Sequence, residues 1–258
     1  MKTIIPFLLL SIAIPPALSS VSAASPECYE IRSYLLGDQG DTEAIHQYLR
    51  DAFLPAMKRQ QVGPIGVFHN STKDQSDSQR IVVVIPYKSA NGISACKSRL
   101  AKDSEYKKAA RSYLDRGTDN SPYQRIESEL LVAMDCMPLL KVPEQQLKNA
   151  SRVFELRVYE SANERLGDLK VHMFNNGEVP IFLDCGIQPI FIGQAMIGPS
   201  TPNLSYLTVY PSEQARNKAW VDFRAHPDWQ VLKKKSKYAG TVSKIDKYVL
   251  TPTDYSQI

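Results

Sequence analysis

The chain has 258 residues and a hydrophobic share of 43%, enough to bury a sizeable core, and its 31 basic and 27 acidic residues leave a formal charge of +4. So weak and dispersed a balance gives no electrostatic footprint for nucleic acid. The four cysteines show no C-x-x-C or other metal-ligand spacing, which argues against a zinc site or a thioredoxin-like redox centre.

Residues 1–24 read as a secretory leader: Lys2 supplies a positive start, residues 4–18 form an apolar run broken by Pro15 and Pro16, and Val21, Ser22 and Ala23 make a small-residue cleavage site. The alternative, a membrane anchor, calls for a longer uninterrupted stretch. The expectation is an exported protein, periplasmic or extracellular, with no stable membrane insertion.

Beyond the leader the chain says the same thing twice. Glu30, Ile31, Arg32, Ser33, Tyr34 returns as Glu155, Leu156, Arg157, Val158, Tyr159, a shift of 155 − 30 = 125 residues, and Pro55 with Pro180 and Pro64 with Pro189 keep that shift. Each copy predicts strand, helix, strand, strand, helix, strand. In the first copy these fall at 28–35, 42–59, 65–69, 80–87, 92–114 and 124–135. Ile45, Leu49 and Phe53 recur at helical spacing behind Asp41 as a cap, Pro55 is set to kink or end that helix, and Gly63-Pro64 turns the chain into the second strand. In the second copy they fall at 153–160, 165–174, 190–195, 204–210, 214–238 and 243–250, with His226-Pro227 expected to break the last helix.

The predicted organisation is therefore a leader at 1–24, a first domain at 25–140, a linker at 141–151 and a second domain at 152–258. The fold class is α+β: two tandem ferredoxin-like βαββαβ repeats, packed sheet to sheet as an intramolecular dimeric α/β barrel. Alternation along a strand puts Glu30, Arg32 and Tyr34 on one face, and Glu155, Arg157 and Tyr159 on the corresponding one. Because Phe154, Leu156 and Val158 are wholly apolar, they are expected against the helices. That leaves the Glu, Arg, Tyr rows, joined by Tyr206, in the barrel interior, as a lined ligand cavity or a structural ion-pair network. In the strand order 4-1-3-2 usual for this fold, the last strand lies beside the first, so a Cys28–Cys136 disulfide is predicted across the sheet margin. Cys96 and Cys185 pair between halves or stay free.

The strand at Glu155, Pro180, the R-N-K-A-W run holding Arg216 and Trp220, and H-P-D-W at His226 to Trp229 resemble the NIPSNAP family, of the dimeric α/β-barrel superfamily. The resemblance covers the second half and, through the strand at Glu30, Pro55 and K-D-S-E-Y at Lys102 to Tyr106, extends more loosely to the first. It implies no established activity. The wider superfamily includes cofactor-free monooxygenases and haem enzymes, and a haem would need an axial ligand from His46, His69, His172 or His226. Those histidines occupy non-equivalent positions in the two copies, and no catalytic residue recurs in both. The expected function is a non-catalytic module binding a small molecule or protein; the alternative is an oxidoreductase or monooxygenase-like enzyme. No cofactor or metal is predicted, with haem the one cofactor kept open. Further homo-oligomerisation is left open. Asn70, Asn149 and Asn203 stand in N-glycosylation acceptor triplets, which matter only in a eukaryotic secretory pathway.

Overall fold

The computed structural model describes residues 25–70, 79–144 and 148–258; the leader, and the middle of the linker, lie outside them. Eight strands run β1 (Cys28–Leu35), β2 (Gly66–Asn70), β3 (Arg80–Tyr87), β4 (Arg125–Ala133), β5 (Val153–Glu160), β6 (Gln188–Ile197), β7 (Asn203–Tyr210) and β8 (Lys244–Pro252). Each half is a sheet in the order β4-β1-β3-β2 or β8-β5-β7-β6, the predicted one. The two sheets then join edge to edge, β2 on β8 and β4 on β6, into a closed antiparallel barrel. Pairing the edges is what removes the unpaired backbone groups that an open sheet would present. At the β4–β6 seam Gly193 lies opposite Ala133, and a methyl group there would sit 2.8 Å from the Leu131 Cβ.

The first helix of each copy begins on a side-chain cap, the predicted Asp41 in the first and Asn163 in the second. Asp41 accepts from the Ala44 N–H ahead of α1 (Thr42–Tyr48), and Asn163 does so from Leu166 ahead of α6 (Glu164–Met173). Neither helix ends at its proline. In the first a π turn, Leu49–Phe53, intervenes; in the second, over Phe174–Glu178, the backbone leaves the helix at Asn176 and Gly177 in a kink; and the helix resumes as α2 (Leu54–Arg59) and α7 (Val179–Asp184). The widened turn lies where a proline ring would otherwise press on the carbonyl four residues back. The long helix predicted for 92–114 is three pieces, α3 (Asn91–Leu100), α4 (Ser104–Ala109) and α5 (Arg111–Leu114), because Asp103 caps a new start at Tyr106. Its counterpart breaks at His226-Pro227 as expected, into α8 (Glu213–Ala225) and α9 (Pro227–Leu232). Among the described residues no helix is long and apolar enough to cross a membrane.

The face assignment is inverted relative to expectation. Tyr29, Ile31, Val82, Val84 and Leu131 from the first half meet Phe154, Leu156, Leu207 and Val209 from the second inside the barrel. Rings cross the interface there, Tyr29 on Phe191 at 4.9 Å and Phe68 on Phe154 at 4.8 Å between centroids. Glu155, Arg157, Tyr159 and Tyr206 face the helices instead, as do Glu30, Arg32 and Tyr34. Inside a closed barrel the strand amides and carbonyls are spent on the ladder, so a charged side chain there depends on polar side chains beside it; the helix layer offers donors.

All four cysteines are free thiols, so the Cys28–Cys136 bridge is not formed. The margin itself is as expected, with Glu27 N–H bonding the Pro138 carbonyl at 3.0 Å and Ala133 N–H the Glu27 carbonyl at 2.8 Å. The side chains diverge: Cys28 hydrogen-bonds the Ala90 backbone, whereas the turn after β4 carries Cys136 onto the second-half core, its N–H donating to Asn175 Oδ1. Unfolded protein should therefore titrate four thiols without prior reduction, and fewer than four would show a bridge.

Glu129 sits at one mouth of the barrel, accepting from Asn203 Nδ2 at 2.6 Å and Ser205 Oγ at 3.2 Å. Burial pushes its carboxyl above the ordinary value of 4.5, and these two hydrogen bonds only partly oppose the shift. A folded-state value raised above the unfolded one contributes stability that is complete below the unfolded value and fades as pH rises through the folded one. Urea unfolding between pH 4 and 7 should show that decline, and Glu129→Gln should flatten it.

Candidate functional site

The two Glu, Arg, Tyr rows are built alike and finished differently. Residues two apart on a strand share a face, so each Arg reaches back to its Glu. Arg32 Nε donates to Glu30 Oε1 at 2.9 Å, and Arg157 Nε to Glu155 Oε1 at the same distance. In the second half α8 completes the set: Trp220 Nε1 donates to Glu155 Oε2 at 2.6 Å, Arg216 Nη1 stands 3.3 Å from that oxygen, and the Arg157 guanidinium lies 3.4 Å from the centre of the Trp220 ring. Tyr159 accepts from Arg157 at 3.3 Å and from Tyr206 at 2.8 Å, and burial holds its hydroxyl well above its usual range. Both Glu155 oxygens are taken and the carboxylate is fully buried. This is a clasp between β5 and α8, closed to any ligand.

In the first half the row backs onto an opening. The β1–α1 connection runs over residues 36–41, while the β5–α6 connection is only 161–163. In the second half Ser161 Oγ donates to the Thr241 carbonyl at 2.7 Å and ties that end shut. In the first, a cleft of about 540 Å³ lies between the longer loop and residues 116–124. Asp38, Gln39, Asp119, Asn120 and Gln124 line it, Arg116 pairs with Asp41 at 2.8 Å across it, and Tyr123 lies in its wall. The Ala44 N–H, then Arg116, hold the Asp41 carboxyl below its ordinary value.

Behind Tyr123 stands a tyrosine layer. Its ring meets Tyr34 at 5.6 Å and Tyr113 at 6.3 Å, Tyr113 stacks on Tyr48 at 3.9 Å, and the Tyr48 hydroxyl lies 2.9 Å from that of Tyr106. Tyr34 hydrogen-bonds Arg32, which ties the layer to the Glu30 row. Tyr87 and Ser128 both donate to Glu30, at 3.3 and 3.1 Å.

Every residue expected at the site thus lies in the helix layer and none in the barrel interior. Glu30, Arg32 and Tyr34 come together, as do Glu155, Arg157, Tyr159 and Tyr206, in two separate places. Sequence reasoning missed Arg116 and Tyr123, because loop residues carry no periodicity, and the helical Tyr48, Tyr106 and Tyr113, whose helix positions read as core; the available signal was the extra length of the 36–41 loop. Among the four histidines, His46 bonds Tyr255, His69 the Asn70 carbonyl and His172 Tyr238, while His226 accepts from the Asp228 N–H. None lines the cleft, so the residues there do not fit a haem with a histidine axial ligand.

With this geometry in hand, comparison with known proteins identifies the second half. Residues 154–257 match the NIPSNAP family model. The match falls on the half with the closed clasp, and includes Arg216 and Trp220, the residues that close it. A candidate monooxygenase from Lactobacillus acidophilus NCFM has the same fold at a TM-score of 0.56 and 11% identity, covering 88% of this chain and 94% of its own. A second, from Fusobacterium nucleatum, gives 0.56 at 10% identity over 89% of this chain and 94% of its own. At such identities the likeness is one of fold, and it spans both halves. A NIPSNAP-like domain protein from Burkholderia xenovorans gives 0.38 at 18% identity, covering 42% of this chain and 90% of its own. No curated protein matches the sequence.

The clasp makes a stability prediction that its twin controls. Removing the Glu155 carboxylate leaves Arg157, Arg216 and the Trp220 N–H without their buried acceptor, so Glu155→Ala should cost about 3–5 kcal/mol in urea unfolding. Arg32, 21% exposed where Arg157 is 10%, has an edge that can turn to water, so Glu30→Ala should cost only about 1–2 kcal/mol. Equal costs would mean that α8 adds nothing to the row.

Proposed function

We propose that the protein is an exported binding module that takes a small polar ligand in the first-half cleft, with the NIPSNAP domain as its rigid partner. The observation that carries this reading is the asymmetry of the two ends: one copy opens a cleft of about 540 Å³ beside Tyr123, and the other ties the same place shut through Ser161 and Thr241. Carboxylates, side-chain amides and one guanidinium around a single aromatic ring supply hydrogen bonds in several directions and one flat apolar contact, the usual make-up of a small-molecule site. Export rests on the leader expected at 1–24. The clasped second half speaks for a structural rather than a catalytic role there.

A second reading, an oxidoreductase or monooxygenase-like enzyme, is favoured by the Arg32 and Tyr34 pair standing directly behind Tyr123, where it would orient an organic substrate lying in the same cleft. The likeness to candidate monooxygenases adds fold to that reading and no chemistry.

Native mass spectrometry of the purified protein, followed by calorimetry with whatever small molecule co-purifies, tests the first reading. Tyr123→Ala and Arg116→Ala are expected to weaken binding at least about tenfold, or 1.4 kcal/mol, with the barrel still folded. Binding unchanged in both variants would sink the cleft as the site. Conversion of the bound molecule by the wild-type protein under air would move the assignment to the second reading.

A further inference from the structure

The first-half cleft is held in shape by its own framework. Its two walls, the 36–41 loop and residues 116–124, are tied at the base by backbone bonds, Gln124 N–H to the Leu35 carbonyl at 2.8 Å and Asp41 N–H to the Pro122 carbonyl at 2.9 Å. The ion pair of Arg116 with Asp41 makes a third tie. Gly37, at φ +64°, stands where a Cβ would come within 3.2 Å of the Gln124 Cβ, so the walls meet there more closely than a side chain would allow. A site fixed before its ligand arrives loses little free energy to ordering itself.

Tyr123 is half-buried, its hydroxyl is engaged by Tyr113 in the layer behind, and Tyr34 packs against its ring at 5.6 Å. What it gives to the cleft is therefore ring carbon, a flat apolar platform whose π face carries partial negative charge. The polar lining divides by what each group can do. Asp38 and Asp119, as carboxylates, only accept. Asn120 is left to donate, because its Oδ1 already accepts from the Gly117 N–H at 2.7 Å. Gln39 and Gln124 do either. Among the described residues that line the cleft Arg116 is the one cation, and it is engaged by Asp41 at 2.8 Å and by the Asn120 carbonyl at 3.5 Å.

Each charged class of ligand meets an objection in this lining. An anion would face Asp38 and Asp119 with no unpaired cation to hold it. An ammonium would suit those carboxylates but meet the Asn120 amide donor and Arg116, and a zwitterion would find no partner for its carboxylate. A hydroxyl both donates and accepts, so a neutral molecule carrying several of them uses both kinds of lining group. The C–H face of a sugar ring, partly positive, also lies well on an aromatic face. We propose that the cleft binds a neutral saccharide, one ring laid on Tyr123 and its hydroxyls shared among Asp38, Asp119, Asn120 and the two glutamines. The proposal rests on the cleft being the binding site and adds what that site selects. A volume of about 540 Å³ admits one or two such rings.

The test is an NMR titration of the isotope-labelled full chain, followed on the side-chain amide signals of Gln39, Asn120 and Gln124. Glucose, galactose, mannose, maltose and cellobiose are the neutral probes; choline, succinate and free serine are the charged ones. At least one neutral sugar is expected to move those signals saturably, with a midpoint indifferent to added salt. Tyr123→Leu, which keeps bulk but removes the ring, should raise the midpoint at least about tenfold. Asn120→Asp, which keeps an acceptor for the Gly117 N–H and turns the fixed donor into a second acceptor, should raise it about fivefold. A midpoint unchanged or lowered in Asn120→Asp overturns the proposal. So does movement by choline, succinate or serine with none by the sugars, which keeps the cleft as a binding site and makes the ligand class wrong. Signals that no probe moves remove the cleft as a binding site, and this proposal with it.

Discussion

Closing the sheet takes both water and helices away from its inner face, and that constraint decides where each polar strand residue goes. Eight strands paired edge to edge spend their amides and carbonyls chiefly on one another. The interior is filled mainly by apolar side chains from both halves, with Phe68 on Phe154 and Tyr29 on Phe191, and its polar residues Glu129, Asn203 and Ser205 satisfy one another at one mouth. The Glu, Arg, Tyr rows are displaced to the outer face, where helices bring Trp220 and Arg216 to meet Glu155. The same displacement moves any ligand chemistry into the layer between sheet and helices, away from the barrel axis.

Duplication lets one half serve as the control for the other. Both interrupt the helix before their proline, both carry the Glu and Arg ion pair on the strand, and both put an aromatic residue two positions further along. Whatever recurs is needed by the fold. What differs is free to serve function: a longer loop and an open cleft in the first half, a tryptophan clasp and a buried Lys and Glu pair in the second. The family match falls on the half that kept the clasp, which fits a scaffold role for Arg216 and Trp220.

The strands and their order were legible because β-branched and aromatic runs at period two are a strong signal, and β1, β3 and β5 begin and end at the predicted residues. The faces were separable and their sense was not. Alternation shows that Glu155 and Phe154 point opposite ways, but which way is inward depends on whether the sheet closes, and a closed barrel reverses the usual expectation that the apolar side meets the helices. The disulfide failed for a related reason: strand order brings the backbone of Glu27 to Pro138, yet the direction of a single side chain at a turn is set by local packing, here Asn175 holding the Cys136 N–H. Arg116 and Tyr123 were invisible because a loop has no period to read.

The breaks ahead of the two prolines show how fold and function can share one feature without one explaining the other. A helix carrying Pro55 or Pro180 must end, kink or widen, and the π turn of one half and the kink of the other keep it packed on the sheet, through Leu49 and Phe53 in the first and through Phe174 in the second. The last residue of each break and the residue eight positions before it are buried in both halves. In the first half these are Phe53 and Ile45, which extend the core. In the second they are Glu178 and Lys170, at a desolvation cost that the neighbouring half avoids. Because a break precedes the proline in both halves, it cannot account for the charges, and their retention in one half alone is what sets that pair apart from the rest of the core.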